Sequence, residues 1–105
     1  MNVSSVLGKE GAADYVAYCA TKYGVIGLTE ALADELRGTR ISVWAVCPGR
    51  VDTPMGHIGG VPRGEDLLPP QHVARVIVAL ATGRRRRPSG AAVDVDRWAC
   101  SRLIT

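Results

Sequence analysis

Phenylalanine is absent from these 105 residues, and aromatic residues make up only 5%. A core therefore has to be assembled from Val, Leu, Ile and Ala, which suit a parallel sheet covered by helices. No apolar run is long enough to span a bilayer, which argues against a membrane partner. The first residues lack a basic stretch followed by an apolar one, so no secretory leader is expected. Cysteine is sparse: Cys19, Cys47 and Cys100 are odd in number and widely spaced. With no C-x-x-C pair and no Cys/His ligand spacing, neither a zinc site nor a disulfide framework is expected, and a reducing, cytoplasmic setting is. The net charge is +3, and taking away the four positive charges of Arg84 to Arg87 leaves −1. The basicity is thus one local run. It has no interleaved aromatics, so a solvated loop is expected there and a nucleic-acid partner is not.

What is present fits one small domain with a modest core. Hydrophobic content, at 47%, is ordinary for a globular chain. Val3 to Val6 reads as the end of a strand, and Leu7 to Ala13 as a loop rich in Gly and Ala. Asp14 is placed to cap a helix running from about Tyr15 to Arg37. Val25, Leu28, Leu32 and Leu36 step along it at helical spacing and predict one buried stripe, with Val16, Ile26 and Ala33 extending the apolar surface beyond it. Arg37 suits the negative helix end and Gly38 a left-handed exit. Ile41 to Cys47 is rich in β-formers and predicts a strand that Pro48-Gly49 ends. Thr53 to Pro69, with four glycines and three prolines, predicts a loop or a short helical excursion. Pro70 suits the first turn of a second helix, where Val73, Val76, Ile77 and Leu80 share a face and Gly83 closes the element. Arg84 to Gly90 reads as a hairpin or loop and Ala91 to Val95 as a last strand. The order strand, helix, strand, helix, strand predicts an α/β fold with three parallel strands and right-handed crossovers.

Three residues suggest chemistry. Tyr18 and Lys22 are four apart, one helical turn, and share a face. A phenol beside an ammonium is a proton-transfer pair, because the positive charge favours the phenolate. Ser5, thirteen residues before Tyr18, offers a hydroxyl that can hold a substrate oxygen while its charge changes. Ser4 is an alternative, since neighbours on a strand face opposite ways. Pro48-Gly49 falls at the carboxyl end of a strand, where ligands bind in open α/β sheets. The remaining candidates have plainer readings. Met55 and His57 are candidates to line a substrate entrance, with a solvated loop the preferred reading; His72 is expected at the surface, Cys19 and Cys47 in packing roles, and Trp44 in or beside the sheet.

The ordered series N-V-S-S, Y-C-A-T-K and P-G-R-V-D-T resembles the carboxyl-terminal half of a classical short-chain dehydrogenase/reductase. The resemblance covers residues 1–81 well and the tail poorly. It implies part of a Rossmann-like, doubly wound sheet and hydride transfer between NAD or NADP and an alcohol or carbonyl. Tyr18 would be the general acid/base. Lys22 would support it and hydrogen-bond the nicotinamide ribose, and Ser5 would orient the substrate. Tyr18, Lys22, Pro48, Gly49, Val51 and Thr53 would contact the cofactor, Thr53 near its carboxamide or phosphates. The helix bearing Tyr18 and Lys22 would pair with its counterpart in a second subunit. Several family features are missing from these residues: the glycine-rich turn that cradles the pyrophosphate, the N-N-A-G strand end and the helix-borne asparagine. Val93 to Trp98 also lacks the glycine pair that often follows the last strand. Residues 1–105 are therefore expected to be one partial domain, cut short at the amino end. The competing reading is an inactive fragment or assembly module that pairs with itself or a longer relative.

Overall fold

A computed structural model describes residues 1–61, 63 and 66–95. The sequence readings of Asp96 to Trp98 and of Cys100 lie outside the described residues. Three parallel strands form one sheet in the order β1 (Asn2–Val3), β2 (Ala45–Pro48) and β3 (Ala92–Val95). Helix α1 (Val16–Glu35) connects the first two and α2 (Pro70–Ala81) the last two. This is the expected α/β arrangement. Asn2 pairs with Ala45 and Val3 with Val46; Ala45 to Pro48 then pair with Ala92 to Val95.

Alternation along the strands places the helices on opposite sides. Val46, Val93 and Val95 point one way and close a core with Val76 and Leu80 of α2 and with Leu68. Asn2, Ser4, Ala45 and Cys47 point the other way, where Asn2 Nδ2 donates to Thr29 Oγ1 of α1 at 3.0 Å and Ser4 Oγ donates to the Lys22 carbonyl at 2.8 Å. Pro70 opens α2, where its missing N–H leaves no donor unpaired. Both helices leave through left-handed glycines, Gly38 at φ +83 and Gly83 at φ +75.

Several boundaries differ from the sequence reading. The first strand stops at Val3, because Ser5 turns the chain into a short 3-10 helix over Val6–Gly8 by accepting the Leu7 amide on its hydroxyl at 3.1 Å. Asp14 does not cap α1. It sits at φ +69, and Tyr15 holds the cap position without a side-chain bond. Leu28 is 57% exposed, so it is not part of a buried stripe; Cys19 and Thr29 are the buried residues of α1. Strand β2 begins at Ala45, because its neighbours begin pairing only at Asn2 and Ala92, and Ile41 is exposed. Trp44 lies beside the sheet, its indole N–H donating to the Arg87 carbonyl at 3.0 Å. His72 is half-buried, and its Nδ1 is shielded without a hydrogen-bond partner.

Candidate active site

The candidate residues gather at the carboxyl ends of the parallel strands. Ser5 follows β1, Pro48 is the last residue of β2, and Tyr18 and Lys22 lie in the first two turns of α1. Lys22 joins two of these elements. Its Nζ lies 5.5 Å from the centroid of the Tyr18 ring and donates to the Val3 carbonyl at 3.2 Å. A lysine ammonium has three N–H donors, so two remain for other partners. Tyr18 is 40% exposed and edge-on to Tyr15, with ring centroids 6.3 Å apart. The phenol is thus reachable from solvent while its ring is packed on one side.

Ser4 and Ser5 are both buried, at 2% and 7% exposure, but only Ser4 is consumed by structure. Its hydroxyl is given to the Lys22 carbonyl, which ties β1 to the second turn of α1. Ser5 Oγ accepts the Leu7 amide and keeps its own proton to donate. Among the described residues Ser5 and Tyr18 share no hydrogen bond. Gly8 lets the 3-10 turn lie against α1: a Cβ there would overlap Ser4 Oγ and sit 2.9 Å from the Lys22 carbonyl.

The segment after β2 folds tightly. Pro48 is buried and Gly49 half-exposed. Val51 packs against the α2-side core, and its carbonyl accepts the Thr53 amide at 2.8 Å. Thr53 Oγ1 accepts the Gly56 amide at 3.2 Å. His57, expected on a solvated loop or at a substrate entrance, lies 2.8 Å through Nε2 from Asp52 Oδ1. Lys9 Nζ reaches across to Asp94 Oδ1 at 2.8 Å and the Ala92 carbonyl at 3.1 Å, strapping the loop after β1 to β3. Neither contact was foreseen from the sequence, since both depend on turns that hydropathy does not encode. Cys47 is fully buried beneath this region. Burial pushes its thiol pKa above the ordinary 9.0; Asp94 adds to the rise, while Lys9, Ser4 and Ser5 oppose it.

Among the described residues no three potential metal ligands cluster, and no helix is long and apolar enough to cross a membrane. Arg84, Arg86 and Arg87 are exposed and Arg85 half-buried, in the loop between α2 and β3.

The short chain dehydrogenase family profile matches residues 1–58. This chain belongs to that family. The short-chain dehydrogenase/reductase Aba4 of Botryotinia fuckeliana is 35% identical over 116 residues, taking in 95% of this chain and 45% of its own length. The 3-oxoacyl-(acyl-carrier-protein) reductase of Thermotoga maritima is 37% identical over 106 residues, covering 91% of this chain and 43% of its own length. Among solved structures, levodione reductase superposes with a TM-score of 0.80 at 25% identity, covering 95% of this chain and 45% of that one. A short-chain dehydrogenase of Escherichia coli CFT073, complexed with NADPH, gives 0.75 at 30% identity over 90% of this chain and 39% of that one. The fold is therefore Rossmann-like, and the chain spans under half the length of the short-chain dehydrogenases it matches.

Proposed function

We propose that residues 1–105, as part of one Rossmann-like domain, carry the proton-transfer centre of an NAD(P)-dependent oxidoreductase that interconverts an alcohol and a carbonyl. The observation that carries this reading is Lys22 Nζ beside the Tyr18 ring, bonded to the end of β1 and one strand away from Pro48-Gly49. The donor set suits a nicotinamide nucleotide. Lys22 has two unused N–H groups for ribose oxygens, Gly49 presents bare backbone, and Thr53 keeps a hydroxyl proton to donate. Tyr18, Lys22, Pro48, Gly49, Val51 and Thr53 are the residues that would hold it, Val51 through packing beneath the segment. When bound, the cofactor supplies or accepts the hydride. Whether it is NAD or NADP is set outside these contacts.

In the reducing direction the Tyr18 Oη proton passes to the carbonyl oxygen; in the oxidising direction the alcohol returns it. Lys22 places positive charge 5.5 Å from the centre of the phenol ring that gives up the proton. Ser5 Oγ, already fixed by the Leu7 amide, donates to the same substrate oxygen. The substrate class is a small-molecule alcohol or ketone. A chimera joining the preceding half of the Thermotoga maritima reductase to this chain tests the assignment. Tyr18→Phe is expected to abolish turnover while cofactor titration survives, and Lys22→Ala to lose activity and weaken cofactor binding together. Near-normal turnover in Tyr18→Phe would overturn it.

A second copy of the chain is the partner we propose for the outer face of α1. Val16 is 82% exposed, Leu28 57% and Tyr23 47%, an apolar surface on an otherwise ordered helix. Size exclusion with light scattering should show self-association that Leu28→Glu weakens by about tenfold or more. A strictly monomeric wild-type chain would exclude this pairing.

A further inference from the structure

The segment after β2 closes on one carboxylate–imidazole contact. Asp52 Oδ1 and His57 Nε2 are 2.8 Å apart, with side chains 61% and 52% exposed. Four other bonds hold the same turn. Arg50 Nη1 donates to the Gly56 carbonyl at 2.9 Å, and the Gly56 amide donates to Thr53 Oγ1 at 3.2 Å. The His57 amide is shared between the Thr53 and Pro54 carbonyls, 3.2 Å from each. Gly56 lies so close to Val51 that a Cβ would overlap the Val51 carbonyl. On the other side, the Asp52 amide donates to the Leu68 carbonyl and the Leu68 amide to the Arg50 carbonyl, both at 2.8 Å. Residues 50–52 are therefore fastened to the chain that returns toward α2. The turn of Met55–His57 is fastened back onto residues 50–53.

An exposed carboxylate–imidazole contact adds little to the stability of a whole fold. Its effect here is local, since it connects the ends of a six-residue loop in which Thr53 directly follows Asp52. We propose that Asp52 and His57 are positioning residues for the nicotinamide nucleotide. Their contact clasps the Met55–His57 turn, so the Gly56 amide stays on Thr53 Oγ1. The hydroxyl then keeps its own proton for an acceptor oxygen of the cofactor, a carboxamide or phosphate oxygen. This rests on the function proposed above. It adds two residues that touch neither substrate nor cofactor.

Two readouts on the chain separate the clasp from the site. Amide exchange at Gly56, followed by nuclear magnetic resonance, reports the clasp alone. Titration with reduced nicotinamide mononucleotide, followed through the Gly49 and Thr53 amides, reports the site. In His57→Ala, Gly56 exchange should accelerate about threefold or more and the mononucleotide should bind about threefold more weakly. His57→Gln, whose side-chain N–H can still reach Asp52, should restore both. Asp52→Ala should reproduce His57→Ala without lowering the melting temperature appreciably, as befits an exposed pair. Unchanged Gly56 exchange in His57→Ala overturns the clasp and leaves the function standing. Faster exchange with unchanged mononucleotide affinity overturns the positioning role. Absence of any saturable shift in the unsubstituted chimera described above overturns the functional reading and this inference with it.

Discussion

On the α2 side of the sheet, Val46, Val93 and Val95 meet Val76, Leu80 and Leu68 in an aliphatic cluster. On the α1 side, Asn2 bonds to Thr29 and Ser4 to the Lys22 carbonyl, and the buried side chains of Ser4, Cys19, Thr29, Ala45 and Cys47 are small or polar. Burial of branched aliphatics is strongly cohesive but has no preferred direction. Hydrogen bonds such as Asn2 to Thr29 and Ser4 to the Lys22 carbonyl are weaker in net effect but restrict distance and angle. Thr29 Oγ1 also donates back to the Val25 carbonyl at 2.7 Å, so it is filled on both sides. The helix that carries Tyr18 and Lys22 is thus fixed in rotation and height by directional contacts. The helix that carries no candidate residue is held by cohesion. The difference teaches that position, more than adhesion, is what the α1 side supplies.

Three substitutions bear on that contrast. Leu80→Ala removes a side chain that is 2% exposed at the centre of the aliphatic side and should destabilise the chain by about 2–5 kcal/mol in urea unfolding. The structure around Tyr18 should be unaffected, so amide shifts of α1 in the folded fraction should not move. A smaller stability loss accompanied by shifts in α1 would mean the two sides are not separable. Gly8→Ala acts on the other side. The added methyl overlaps Ser4 Oγ and should cost about 1–3 kcal/mol by thermal melting. Here the α1 amides near Lys22 should shift, because the Ser4 bond to its carbonyl is displaced. The smallest effect is expected at Cys47. Its folded pKa is raised above 9.0 by burial, so the folded chain keeps a proton that the unfolded chain loses at high pH. Stability is then undiminished below 9.0 and declines as pH rises past it. Cys47→Ala should flatten that alkaline decline relative to the wild type when urea midpoints are compared across this pH. An equal slope in both chains would show that the thiol titrates normally.

The sequence was legible where hydropathy and geometry agree. Val73, Val76, Ile77 and Leu80 step at helical spacing, and they do face the core. It misled where they diverge. In α1 the buried residues are Cys19 and the polar Thr29, while of the expected stripe Val25, Leu32 and Leu36 are half-buried and Leu28 is exposed. Asp14 has the composition of a helix cap, but its positive φ follows from the path of the preceding loop, which no local pattern records. The β-rich stretch before Ala45 makes no ladder pair, because Val43 bonds instead to Ser89 and Gly90 of the turn before β3 and the partner strands begin pairing only at Asn2 and Ala92. At the site, the four-residue step brought Tyr18 and Lys22 together as expected. The contact between Asp52 and His57 was not legible. It depends on the close approach of Gly56 to Val51, a property of the turn as a whole.

Gly24 and Gly27 lie in the interior of α1, and a methyl added at either would meet nothing within 4 Å. Each glycine costs a helix interior roughly 0.5–1 kcal/mol relative to alanine. The chain thus carries two withheld alanines where its own packing would accept them. A selection for the lone chain's thermal endurance would be expected to fill both positions quickly. If a second copy packs on the outer face of α1, as proposed above, the room left by these two glycines is room for it.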